Sequence, residues 1–169
     1  MSHDEYEGEY KNDLKHGIGK MIYKPKTELK EGGEVKEDRK ESYYGYWEEG
    51  RRNGEGVYTY EDGDIYSGNW KNNKRDGKGT YIFAATGIKY VGNWSEGNFV
   101  HGKWLFSNGT YFEGNFEANQ PKGVGKWIFK NGDVVEGEYS HTIIQDAVDA
   151  PKTIKLKWRT TVDIDQSNA

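Results

Sequence analysis

Four histidines are the residues of this chain whose chemistry would be most useful to an enzyme or a metal site. They stand at positions 3, 16, 101 and 141. Catalysis needs reactive groups that converge on one substrate, but His16 and His101 each directly precede a glycine of a repeated motif described below. Residues that recur with a repeat lie on separate units, so we expect junction residues here. The sequence predicts no metal site and no cofactor.

The other reactive residue types are arranged as ordinary turn and strand residues. Acidic pairs occur at Glu48-Glu49 and at Asp62 and Asp64, where solvated turn carboxylates are common. The Gly-x-Gly strings lack the Lys-Ser or Lys-Thr ending of a phosphate-binding loop. The serines lack the setting of a hydrolase nucleophile, and the chain has no cysteine. We therefore expect a protein that is not an enzyme.

The densest group of basic residues surrounds one predicted loop. It consists of Lys71, Lys74, Arg75 and Lys78, and clustered basic side chains attract anionic lipid headgroups at about 1 kcal/mol each. Asp76 interrupts the cluster, and the formal net charge of the chain is −4. We expect a solvated loop, and lipid binding by these four residues is the alternative. The acidic balance also argues against nucleic acid as a partner.

The composition favours β-structure with an aromatic core. Of 169 residues, 23 are glycines, which is roughly twice the ordinary share of about 7%. Aromatic residues make up 15% of the chain, and its four leucines are too few for the core of a helix bundle. The length fits one domain. The N-terminus lacks the apolar run of a secretory signal, and no stretch is apolar enough to span a bilayer, so we expect a cytoplasmic protein.

Two motifs of aromatic residues and glycines recur along the chain. The first reads aromatic-x-Gly-x-aromatic, and its later copies are centred on Gly45, Gly68, Gly92, Gly114 and Gly137. These glycines are 23, 24, 22 and 23 residues apart, whereas Gly8 precedes Gly45 by 37. The second motif, Gly-x-Gly-x-aromatic-x-aromatic, follows each of the first five copies, with Val100 in place of one leading glycine. So regular a period predicts a repeat protein.

The spacing within both motifs is two, which is the side-chain period of a β-strand. Glycines and rings therefore share one face, and intervening polar residues such as Ser67 and Asn69 point to the other. Turn dipeptides such as Asp62-Gly63 lie between the motifs, and short polar loops join one hairpin to the next. We predict an all-β fold, an elongated twisted array of antiparallel β-hairpins that is stabilised by stacking between units.

The motifs resemble the MORN (membrane occupation and recognition nexus) repeat, whose pattern is close to Tyr-x-Gly-x-Trp followed by Gly-x-Gly-x-aromatic-x-aromatic. Residues 66–83 are nearly an ideal copy, and the resemblance covers roughly residues 6–139. Within the family, YIFAATGIKYVGNW, YFEGNF and PKGVGKWIFKNGDVVEGEY are similar to members found in the radial spoke head of motile cilia. That resemblance implies a structural subunit of the axoneme, with other radial spoke head proteins as partners and indirect contact with central-pair projections.

The repeats divide the chain into two parts. Residues 1–139 would form the array of about five hairpins, and residues 140–169 a C-terminal cap strand and a mobile tail. The charged insertion at 24–42 lies inside the first repeat, and we favour a longer hairpin arm that turns at Gly32-Gly33 over a disordered loop.

Near the end of the chain, apolar and basic residues alternate. Ile154, Leu156 and Trp158 are interleaved with Lys155, Lys157 and Arg159. This alternation predicts one amphipathic strand, which either caps the last hairpin or joins a partner's sheet.

We expect most of the aromatic rings to fill the core between hairpins. A single row of hairpins has no second layer to cover a whole face, so rings left along that face would form an aromatic groove for an extended peptide or another subunit. The candidate protein-binding residues are Tyr66, Trp70, Tyr81, Tyr90 and Trp94. The first and last strands also present edges for pairing.

Two further functions stay open. One is a general MORN scaffold at the cytoskeleton or at an anionic membrane surface. The other is a regulatory part of a larger enzyme, because MORN arrays also precede kinase and methyltransferase domains, although the segment after residue 140 is too short for such a domain.

Overall fold

The chain folds as one open β-sheet. In a computed structural model, residues 4–24, 41–145 and 153–161 are described. They form twelve strands, each hydrogen-bonded to its neighbours in the sequence, and every pair is antiparallel. Within these ranges there is no helix. The all-β array of antiparallel hairpins predicted from the repeats is confirmed.

Strands joined by a two-residue turn form five hairpins, and the last two strands form a C-terminal pair. Their bounds are β1 Glu5–Lys11, β2 Leu14–Ile22, β3 Ser42–Glu48, β4 Arg51–Thr59, β5 Ile65–Lys71, β6 Lys74–Ile82, β7 Lys89–Ser95, β8 Asn98–Leu105, β9 Tyr111–Glu117, β10 Gln120–Ile128, β11 Val134–Ile144 and β12 Thr153–Thr160.

A row of glycines crosses the sheet from β1 to β11, and each glycine stands opposite the next one on the neighbouring strand. Its members are Gly8, Gly19, Gly45, Gly56, Gly68, Gly79, Gly92, Gly102, Gly114, Gly125 and Gly137. On β12 the row ends at Thr160. This glycine row aligns the repeats in register.

Aromatic rings lie across the glycine row on one face, which we call the aromatic face. A Cβ on Gly56 would lie 2.3 Å from the Tyr43 hydroxyl, and Tyr66 covers Gly79 in the same way. The Trp70 ring stands edge-on between the two tyrosines, with its centroid 5.5 Å from Tyr43 and 5.1 Å from Tyr66. Edge-to-face contact is a favourable geometry for rings. The sheet therefore has a continuous core without a second layer.

Both kinds of connection are tight turns. The short polar loops that we expected between hairpins are themselves two-residue hairpin turns. One of them is formed by Asn72 and Asn73, whose φ values are 49° and 67°. Asparagine tolerates this left-handed conformation, and a pair of such residues matches the twist of a hairpin. The turn predicted from Asp62-Gly63 also forms, with the Tyr60 amide donating to the Asp64 carbonyl at 2.9 Å.

The fourth hairpin differs from the others because Val100 replaces a glycine. The leading glycines of the second motif, such as Gly54 and Gly77, have φ values of 97° and 96° and lie in a β-bulge. This positive-φ conformation is strongly unfavourable for a β-branched residue such as valine. The bulge in β8 accordingly contains one extra residue where that in β6 contains two. This shorter bulge accounts for the 22-residue interval between Gly92 and Gly114.

The amphipathic strand predicted near the C-terminus is present as β12 and pairs with β11. The Trp158 ring packs 4.9 Å from Tyr139 and covers Gly137, as the tyrosines do in the repeats. β11 runs through the boundary placed between residues 139 and 140. The hairpin arm expected within 24–42 and the mobile tail fall mainly on residues 25–40 and 162–169, which lie outside the described residues.

Candidate functional site

The five rings predicted to bind a partner belong to the aromatic core. The exposed fractions of Tyr66, Trp70 and Trp94 are 0%, 5% and 4%, while Tyr81 and Tyr90 are half-buried against them. Each buried tyrosine fills the space above two glycines, and each tryptophan packs against rings of the preceding hairpin. Binding by these residues stays a prediction, and Tyr81 and Tyr90 offer its accessible surface.

A large groove lies on the opposite face of the sheet, whereas the sequence led us to expect a groove on the aromatic face. It has a volume of about 990 Å³ and runs from β2 to β9 along the glycine row. Glycines have no side chains, so the floor of the groove is backbone. The walls are the side chains that alternate with the glycines and rings along each strand.

The N-terminal end of the groove is apolar and exposed. Ile18, Tyr44, Tyr46 and Val57 have exposed fractions of 41%, 57%, 48% and 40%. The strand register brings them together, because Ile18 lies opposite Tyr46 and Tyr44 lies opposite Val57. We call these four residues the apolar patch.

The apolar patch was not predicted from the sequence, because the repeat motifs consist of the rings and glycines of the opposite face. A signal was present in the sequence YYGYW of β3. The positions equivalent to Tyr44 and Tyr46 in the next hairpin are Ser67 and Asn69. Aromatic residues at positions that are polar in a neighbouring repeat indicate a surface with a separate purpose.

Farther along, the groove is polar and carries charges of both signs. Lys78 and Lys103 line it together with Glu113, and Lys103 lies opposite Glu113. His101 also lines this part, and its Nδ1 lies 2.9 Å from Oδ1 of Asn115. The groove therefore has an apolar end and a polar end, which would orient an amphipathic segment bound along it.

The four residues of the basic cluster are close together in the sequence but lie on different surfaces of the sheet. Lys71 and Lys74 face each other beside a turn, and Lys74 forms an ion pair with Glu96. Arg75 lies over the aromatic rings, whereas Lys78 lines the groove on the other face. Lipid binding by these four residues stays an untested alternative, and here they do not form one surface.

Arg75 is instead part of the aromatic core. Its guanidinium carbon lies 4.5 Å from the Trp94 ring centroid and 5.2 Å from that of Tyr81, which are cation–π distances. Its Nη2 donates a hydrogen bond to the Gly97 carbonyl at 2.7 Å. Arg52 has the equivalent place one hairpin earlier. Each arginine thus ties its own hairpin to the turn of the next.

Burial raises the pKa of the core tyrosines, so their hydroxyls stay protonated and act as hydrogen-bond donors. Burial is the main cause at Tyr66, whose hydroxyl donates to the Asn69 carbonyl at 3.0 Å. At Tyr81, burial is again the larger cause of the raised pKa, and the hydrogen bond to Asp64 is the next. That bond to Oδ2 of Asp64 is 2.7 Å long. The hydrogen bonds of these hydroxyls hold the buried rings in place within the sheet.

The three histidines among the described residues lie on different strands. His16, His101 and His141 lie on β2, β8 and β11, and Nε2 of His141 lies 2.7 Å from the Pro121 carbonyl oxygen. Among residues 4–24, 41–145 and 153–161, no group of three or more metal-ligating side chains is placed to hold an ion. The same ranges contain no helix of the length and apolarity needed to cross a membrane.

Comparison with known protein families finds five MORN repeats in the chain, at residues 6–27, 43–65, 66–85, 90–111 and 112–134. No curated protein matches it. Each matched segment covers one of the five hairpins from β1–β2 to β9–β10 except for the first residue of that hairpin. MORN repeats suggest a repeat-based scaffold or binding role, and the described residues contain no catalytic domain. With more than half of its length matched, the chain belongs to the MORN-repeat family.

Proposed function

We propose that this protein is a non-catalytic scaffold that holds an extended segment of a partner protein in the groove, as a subunit of the radial spoke head. The observation that carries the proposal is the apolar patch. Tyr44 and Tyr46 project from a face that the aromatic core does not use. Exposed apolar groups on a concave surface are typical of binding sites.

The groove suits a segment that lies across the strands. Its floor is backbone and it passes several hairpins, so one segment would contact several repeats at once. Tyr44 and Tyr46 would supply rigid amphipathic contact area. At the polar end, Lys78 would pair with an acidic group of the partner, whereas Lys103 lies opposite Glu113 and Glu113 pairs with Lys126 at 3.7 Å.

The assignment to the radial spoke head rests on the similarity to radial spoke head protein 1 of motile cilia. The three stretches that carry it are residues 81–94, 111–116 and 121–139, which lie between the end of β6 and β11. They include the Ala-Thr-Gly tip between β6 and β7, in which the Gly87 amide donates to the Phe83 carbonyl at 2.8 Å. The partners would be other radial spoke head proteins, with indirect contact to central-pair projections, and the location would be the axoneme of the cilium or flagellum.

The experiment is to tag the protein in a ciliated cell and to extract the axonemes with detergent. Retention in the axoneme, followed by release together with spoke-head proteins in high salt, is the expected result. Complete loss with the soluble or membrane fraction would contradict the spoke-head assignment and leave a general MORN scaffold at the cytoskeleton or at an anionic membrane.

A variant separates docking in the groove from location alone. Tyr44→Ser with Tyr46→Asn gives β3 the residues found at the same positions of β5, so the aromatic core is preserved. We expect this variant to be lost from axonemes. Val124→Ser is the matched control, because Val124 is 68% exposed and does not line the groove. Equal retention of the two variants would contradict docking in the groove.

A further inference from the structure

The two outermost strands of the sheet are complementary to each other. In the described residues, β1 pairs with β2 alone and β12 pairs with β11 alone, so each has an outer edge of backbone groups that can pair with another strand. We propose that a second copy of this chain is the partner, with β12 of one copy pairing with β1 of the next. This inference does not depend on the proposed docking in the groove.

Charge is the first observation that favours a second copy. On the face opposite the aromatic rings, β1 carries Glu5, Glu7 and Glu9. On the same face, β12 carries Lys155, Lys157 and Arg159. All six residues are exposed. Opposite charges that face each other on paired strands stabilise the pairing, whereas two copies of the same edge would bring like charges together.

The uncovered rings of β1 are the second observation. Tyr10 is 60% exposed, while Trp47, its equivalent in the next hairpin, is 5% exposed. The difference is that β3 has β2 on its outer side and β1 has no strand there. On β12, Ile154 is 38% exposed on the aromatic face, and Trp158 on the same face is half-buried. A neighbouring β12 would cover Tyr10 with apolar side chains.

The strand directions allow this contact to repeat. The sheet has twelve antiparallel strands in sequence order, so β12 runs opposite to β1. A second copy in the same orientation as the first therefore presents its β1 antiparallel to β12. The contact joins two different surfaces and leaves the same two edges at the ends, so it extends to a row of copies and does not stop at a dimer.

One register satisfies both faces of the contact. It makes three pairs of opposite charge, which are Glu5 with Arg159, Glu7 with Lys157 and Glu9 with Lys155. On the aromatic face, the same register places Trp158 opposite Tyr6 and Ile154 opposite Tyr10.

The Glu7–Lys157 pair is the centre of this contact. Glu5 already pairs with Lys24 at 2.9 Å, and the Glu9 carboxylate accepts a hydrogen bond from the Ile18 amide. Glu7 lies opposite Lys20 within its own sheet. It would therefore stand between Lys20 and the neighbouring copy's Lys157.

The test is sedimentation velocity of the full chain. At about 50 mM salt, we expect the average mass to rise through dimer, trimer and larger species as the concentration increases from about 5 to 200 µM. At about 500 mM salt the dissociation constant should increase at least about tenfold. A wild-type protein that stays monomeric under the first condition, or stops at a dimer, would overturn the proposal.

Charge reversal identifies the edges. Lys157→Glu faces the neutral Ser140 on β11, so it should leave the fold intact, which near-UV circular dichroism checks. Glu7→Lys is combined with Lys20→Glu to keep the pair between β1 and β2. Each variant alone should weaken self-association at least about tenfold. An equimolar mixture of the two should restore it, because opposite charges then meet again at the edges.

The matched control is Lys71→Glu, which makes the same change of charge at an exposed residue far from both edges. We expect wild-type self-association for this variant. If Lys157→Glu behaves like Lys71→Glu, or if the mixture of the edge variants fails to associate, the head-to-tail pairing of β12 with β1 is wrong.

Discussion

The hydroxyl of Tyr66 lies 2.2 Å from the point that a Cβ on Gly79 would occupy. This is far less than the separation of two non-bonded heavy atoms, so Tyr66 keeps its place because Gly79 has no side chain. The same relation joins Tyr43 to Gly56, at 2.3 Å. The glycine row and the aromatic core therefore depend on each other.

Gly79→Ala should destabilise the protein by about 2–3 kcal/mol, because the added methyl group displaces the Tyr66 ring from a close-packed core. The free energy of unfolding in urea measures this effect. Thr80→Ala is the control on the same strand, since its side chain points to the other face, and it should cost less than about 1 kcal/mol. Equal losses for the two variants would contradict the packing described here.

Trp70→Ala should cost about 3–4 kcal/mol of unfolding free energy, because it leaves a cavity between Tyr43 and Tyr66. Tyr46→Ala removes a ring of similar size that is 48% exposed, and it should cost less than about 1 kcal/mol. Urea unfolding of both variants distinguishes a core ring from a surface ring. A Trp70 variant as stable as the wild type would contradict the core role of this ring.

Arg75→Ala should destabilise the protein by about 1–2 kcal/mol, since it removes cation–π contacts, the packing of the side-chain stem and the hydrogen bond to Gly97. The measurement is again the free energy of unfolding. Lys71→Ala, in the same basic cluster but exposed, should change it by less than about 0.5 kcal/mol. Arg75 would count as a surface residue if the two variants were equally stable.

Stability should fall in alkaline solution. Burial raises the pKa of Tyr43 and Tyr66 above the ordinary value of 10.0. In the unfolded chain these groups lose their protons near that value, while the folded protein retains them. Their contribution to stability is therefore fully present below about pH 10 and is lost as the pH rises further.

The check is a titration from neutral to strongly alkaline pH, with tyrosinate absorbance and near-UV circular dichroism recorded together. We expect the core tyrosines to ionise in step with the loss of the dichroism signal, because their deprotonation requires exposure to water. Complete ionisation of all tyrosines while the native signal is retained would contradict their burial.

The number and length of the repeat intervals were accessible from the sequence, and the structure explains their variation. Gly92 and Gly114 are 22 residues apart because the bulge in β8 is shorter. Gly68 and Gly92 are 24 apart, and there the turn that closes on Phe83 and Ile88 spans one residue more than the turn between Tyr60 and Asp64. These differences in interval length therefore arise from the local backbone conformation of bulges and turns, where some positions require glycine.

The candidate site was less predictable. Strand periodicity correctly assigned rings and glycines to one face, but it did not indicate which face would stay open. Tyr44 and Tyr46 were not recognised as a binding surface because they alternate with the residues of the repeat motif in β3. The separation of the basic cluster was not evident from the sequence either. Side chains alternate between the two faces of a strand, so Arg75 and Lys78, which are three residues apart, point to opposite faces.

By itself, the sequence determined the strand period, the turns, the repeat length and the family, because these depend on short-range spacing and on the conformations that glycine and asparagine permit. Only the tertiary structure decided which aromatic side chains are buried, where the groove lies and which strands form the outer edges. Those properties depend on packing between residues of successive repeats, about 20 positions apart, whose register is set once the whole glycine row is aligned.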